Sequence, residues 1–116
     1  MNILISIAKS FWDEDRDLYD AVRAAWVISP GRAANYKLVL AHRRGIVLGA
    51  FRPEGPWLPA TQANFPWLEN DLDGRWGFIG APAEPDTEHQ YVRKRVPDAY
   101  RVKGAANPIR FVPQDS

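Results

Sequence analysis

The stretch "YKLVLAHRRGIVLGAF", Tyr36 to Phe51, decides how the rest of this chain is read. Lys37 to His42 and Ile46 to Phe51 are rich in Val, Leu and Ile, and a short Arg-Arg-Gly turn separates them, in which Gly45 can take a positive φ. This is a β-hairpin whose two strands are both mostly buried. Its tip, His42-Arg43-Arg44-Gly45, is cationic. Solvation of a turn explains such charges, and phosphate contact is the functional alternative.

Outward from the hairpin, residues 3–7 form a β-branched apolar run and read as a strand. Leu18, Val22, Ala25 and Trp26 recur at i, i+4, i+7 and i+8, one face of an amphipathic helix of about three turns. Asp13 or Asp15 can cap it, and the acids in its first turn suit the positive end of the helix dipole. Ser29 as N-cap and Pro30 at the first helical position start one short turn through Asn35. From Arg52 to Asp73 prolines and glycines recur, and Trp57, Phe65 and Trp67 pin this long loop. Trp76–Ile79 and His89–Val92 read as short strands, Pro97–Tyr100 as a turn or short helix, and Ile109–Val112 as a closing strand. The expectation is a single α+β domain over residues 1–116. It is a small curled, mainly antiparallel β-sheet or barrel with one main helix near the N-terminus.

A chain of 116 residues suffices for one core. The absence of cysteine excludes a disulfide framework, thiolate zinc sites and cysteine nucleophiles, and fits a reducing compartment. The N-terminal apolar run lacks a basic flank and is too short for a signal peptide or membrane span, so a cytoplasmic protein without a membrane partner is expected. The formal net charge of +1 conceals strong segregation. Residues 13–20 hold five acids against one base, whereas residues 21–53 hold six bases and no acid. A second acidic run, Glu69 to Asp73, precedes a base-rich tract with Arg75, Arg93, Lys94, Arg95, Arg101, Lys103 and Arg110. If these blocks also segregate in space, one face is cationic and local field governs anionic partners.

Enzyme signatures are missing. The two histidines, His42 and His89, stand in no metal-binding spacing, and no nucleophile elbow, phosphate loop or dinucleotide fingerprint occurs. The carboxylates Asp13, Asp15, Asp17, Asp71 and Asp73 are accounted for by a helix start and a turn. No catalytic residue, metal or cofactor is assigned. His42 is either a general base or a strand-end residue beside two arginines. Five tryptophans are many for this length; Trp26 lies on the helix's apolar face, while Trp57, Trp67 and Trp76 lie in or beside the loop, where rings flanked by arginines can stack a base.

Four stretches, "LYDAVRAAW" (18–26), "YKLVLAHRRGIVLGAF" (36–51), "GRWGFIG" (74–80) and "KGAANPIRFV" (103–112), together resemble a bacterial domain found C-terminally in some GIY-YIG-type endonucleases and in short bacterial or phage proteins. No GIY…YIG pair is present, so nuclease catalysis does not carry over. A weaker likeness is to the PUA-like group, including EVE and ASCH domains. There, a helix of the type "DGVRNY", here Tyr19-Asp20-Ala21-Val22-Arg23, precedes a strand like Gly45–Phe51. This resemblance implies a small β-barrel holding modified bases or RNA in a pocket lined by residues 23–35 and by Arg75-Trp76-Gly77-Phe78.

The expected function is a non-enzymatic nucleic-acid or modified-base binding module. Arg23, Arg32, Arg43 and Arg44 would contact phosphates, Trp26 or Trp76 would stack, and Ser29, Asn35 or Asn107 would read polar edges. His42, Arg75 and Arg110 complete the candidate set. The alternatives are a protein-interaction or inhibitory accessory module of a phage or defence system, and a small metal-dependent nuclease using scattered carboxylates and His42.

Overall fold

A computed structural model of the chain describes residues 2–7, 18–23, 26–66, 68, 70–96 and 109–112. The hairpin forms as its composition dictates. β2 (Leu38–Arg43) and β3 (Ile46–Pro53) pair antiparallel around the two-residue turn Arg44-Gly45. The β-branched N-terminal run, β1 (Asn2–Ser6), adds to β2 in parallel, and β7 (Ile109–Val112) pairs antiparallel with β1. On the other side β6 (Gly80–Pro82) pairs with the end of β3, giving a five-stranded mixed sheet in the order β6-β3-β2-β1-β7. A methyl at Gly80 would overlap the Arg52 carbonyl, and the Gly80 amide donates to the Tyr19 hydroxyl at 2.8 Å, so only glycine brings β6 this close.

Strand alternation gives this sheet two apolar faces, and both are covered. On the first, Ile3, Ile5, Val39, Ala41 and Phe51 pack beneath α1 (Leu18–Arg23), α2 (Pro30–Ala33) and the rings of Trp26, Trp57 and Phe78. α2 begins where its residues demand. Ser29 is extended and its hydroxyl accepts from the Arg32 amide, while Pro30 supplies a pre-set φ. On the second face, Leu4, Leu38, Leu40, Val47 and Ala50 meet Ala83 and Val96, with Tyr91 and Val92 packed alongside. A two-stranded sheet of β4 (Leu58–Pro59) and β5 (Trp76–Gly77) frames the long loop, and Trp26 bridges Trp76 from the other side. Trp57 and Phe65 anchor that loop as their apolar mass requires; Trp67 lies outside the described residues.

Three expectations are corrected. The sheet is open rather than a barrel, because among the described residues its outer strands β6 and β7 do not pair with each other. The single main helix near the N-terminus is not found: α1 is described over six residues, and the longest described helix is α3 (Pro85–Tyr91), late in the chain. His89–Val92 is therefore not a strand. Pro85 at the first turn pre-sets a helical φ, and Asp86 and Glu88 meet the positive end of the dipole; these local signals outweigh the strand-like composition of the segment. Pro97–Tyr100, Trp12 and Asn107 lie outside the described residues. Among those residues no helix is long and apolar enough to cross a membrane.

Candidate functional site

The hairpin turn has positive φ at both central residues, 54° at Arg44 and 83° at Gly45. Such a turn ordinarily takes Asn-Gly or Gly-Gly, since an L side chain in the left-handed region costs roughly 1 kcal/mol or more. An arginine sits there instead. The only other described non-glycine residue with positive φ is Arg93, at 69°.

These two strained arginines belong to one place. After β6 the chain leaves the edge of β3, forms α3 across the second face, and returns to the same edge nearer the tip. The Arg93 amide donates to the Val47 carbonyl, Val47 to Lys94, and Val96 to Gly45, at 2.8, 2.9 and 2.6 Å. Val96 is buried and Tyr91 and Val92 are half-buried, which fixes the segment while leaving Arg93, Lys94 and Arg95 exposed beside exposed Arg44 and half-buried Arg43. Neither contributing stretch, 36–53 or 89–97, contains an acid. Among the described residues none of these five cationic side chains is paired with a carboxylate or laid on a ring.

The other candidates are spent differently. Arg23 holds its guanidinium 4.7 Å from the Tyr19 ring centroid, and Arg32 lies 4.0 Å from that of Phe111. Trp26 is 4% exposed and donates its indole N–H to the Val22 carbonyl at 2.7 Å, so neither ring face is open to a base. Trp76 is half-buried at the centre of the small sheet, between Pro59 and Trp26. Ser29 caps α2, and Asn35 is exposed just after it. Arg75 is exposed, and its carbonyl accepts from the Ala60 amide. Arg110 is half-buried on β7 opposite Leu4. His42 is buried below the tip, with its carbonyl accepting from Ile7.

The structure thus joins Arg43 and Arg44 to Arg93, Lys94 and Arg95, and does not join them to Arg32, four residue rows away, or about 13 Å along the strands. Among the described residues no tip arginine lies over a tryptophan ring: Trp26 bridges Trp76, and Trp57 packs against Phe78. The 93–95 triplet was visible as a charge run, but its place beside the tip depends on long-range edge pairing. Asp71 has a structural task, accepting from the Gln62 amide at 2.7 Å. Among the described residues no three His, Asp or Glu side chains gather to hold a metal ion. Glu84 is titrated by a neighbour: its hydrogen bond from Arg52 holds its carboxyl below the ordinary value of 4.5. Comparison with protein families, curated proteins and solved structures finds no match for the chain.

Proposed function

We propose that this domain binds the phosphate backbone of a nucleic acid through the basic end of its sheet, by charge rather than by reading bases. The observation that carries this reading is the return of Arg93-Lys94-Arg95 onto the Arg43-Arg44 turn, which gathers five cations from two distant segments without a compensating acid in either. Two of the five occupy a costly backbone conformation, a feature that concentrates at functional sites. Such a cluster attracts phosphates by releasing condensed counterions, and five contacts give a slope of log affinity against log salt of about −4. With Trp26 buried, a stacking platform for bases is not part of the reading.

Titration of labelled oligonucleotides at 50 and 200 mM salt tests it. The expected result is a loss of roughly two to three orders of magnitude in affinity, alike for unrelated sequences. Charge reversal at Arg44 and Arg95 together weakens binding at least tenfold and flattens the slope by about two. Arg32→Glu, at the far end of the sheet, leaves both unchanged. Salt-independent binding, or equal sensitivity to Arg32→Glu, defeats the proposal.

A further inference from the structure

Among the described residues four large apolar side chains are exposed, Val27, Ile46, Leu72 and Ile79, and one of them stands at the basic end. Ile46 pairs with Arg43 across the hairpin and bridges Arg95 on the returning segment. Directly opposed residues of antiparallel strands point to the same face, so Arg43, Ile46 and Arg95 form one row with the isoleucine in the middle. The next residues along, Val47 and Val96, are buried in the second-face cluster, which turns the row to the other side of the sheet. Ile46 is 41% exposed and packs in neither core cluster. A lone exposed aliphatic residue is ordinary, but the strand does not require one here. Threonine has the same β-branched fit without exposing an apolar surface between two charges.

We infer that the basic end takes single-stranded rather than duplex nucleic acid, with Ile46 as the residue that selects it. This rests on the phosphate-binding reading above and names its substrate class. Arg43 and Arg95 stand two strand spacings apart, about 10 Å. A phosphodiester strand laid across them meets Ile46 between two cations. An unpaired nucleotide can turn the flat face of its base onto the isoleucine and a guanidinium plane, a contact open to any base. In a duplex those faces are stacked on one another, so Ile46 meets only sugar and phosphate and gains nothing there. Charge by itself predicts the opposite order, because phosphates are denser on a duplex and each contact releases more counterion.

The test is fluorescence-anisotropy titration of the whole protein with labelled oligothymidylate and with a blunt-ended duplex of equal length, at the same two salt concentrations. Expected is tighter binding of oligothymidylate at the higher salt, where screening has weakened the charge contacts. Ile46→Thr lowers affinity for oligothymidylate about fivefold and changes that for the duplex by less than about twofold. Both salt slopes stay at their parent values, since no charge is removed. Ile46→Val, which keeps an apolar surface, retains most of the preference. Ile46 is exposed, so threonine is expected to keep the parent thermal midpoint, and the parent's own order of the two probes tests the inference without any variant. A duplex bound as tightly as the single strand at the higher salt, or an equal loss of both on Ile46→Thr, overturns the inference. In either case a salt slope of about −4 leaves the phosphate reading standing, whereas absent or salt-independent binding brings down both.

Discussion

The two ends of the central sheet use the same residue types for opposite purposes. At the end where β2 begins, arginines are committed: Arg23 and Arg32 lie over aromatic rings and Arg52 over Glu84. Rings hold that end together, with Trp57 against Phe78 at 5.1 Å, Tyr19 against Phe51 at 5.5 Å and Tyr36 against Phe111 at 4.8 Å. At the end where β2 turns into β3, main-chain bonds do the holding, and five cationic side chains are left without such partners among the described residues. An arginine's role therefore follows from what its neighbours leave available. Where a ring or carboxylate is in reach the guanidinium is absorbed into the fold, and where neither is present its charge remains open to an external anion.

The sharpest separation of the two ends comes from Phe78→Ala. Phe78 is fully buried among Trp57 and Tyr19, so its removal costs about 4 kcal/mol, measured by urea denaturation. Under conditions where the variant is still folded, the salt slope of oligonucleotide binding stays at its parent value, because the basic end depends on other contacts. A drop in that slope would mean that the ends are not independent.

Arg44→Asn acts at the other end, with two effects of opposite sign. Asparagine tolerates the left-handed region, so stability rises by about 0.5 kcal/mol, while affinity for oligonucleotides falls severalfold with the loss of one charge. A variant that loses both, or neither, would assign Arg44 an ordinary structural role.

The smallest effect belongs to Glu84. Its folded-state carboxyl is held down by Arg52, so its contribution to stability is fully present above its ordinary value of 4.5 and disappears as pH falls below it. Denaturation followed from pH 6 to pH 3 should show a slightly flatter decline for Glu84→Gln than for the parent, with the two curves converging in acid. Parallel curves would mean that the exposed pair contributes nothing.

Much of the scaffold is legible from local chemistry. The apolar strand pair around Gly45, the β-branched run of β1, and Ser29-Pro30 at the start of α2 each carry their signal within a few residues. α3 is the exception: Pro85 and the acids that follow it start a helix, whereas the residues from His89 to Val92 read as a strand. The candidate surface was half legible: Arg43 and Arg44 announce themselves at a turn, whereas Arg93, Lys94 and Arg95 form only a charge run. The tryptophans were ambiguous for the same reason, since ring mass suits either a core or a stacking platform.

Propensity, turn chemistry and caps act over a handful of residues, so β1, the β2–β3 hairpin with its turn and the start of α2 follow from the chain locally, whereas the strand-like composition of His89–Val92 misleads where α3 forms. Only long-range packing brings the chain back from α3 to the edge of β3 and encloses Trp26 and Trp57. Those outcomes depend on contacts between segments remote in sequence, where burial of Val96, Phe78 and their neighbours, rather than any local preference, selects the arrangement.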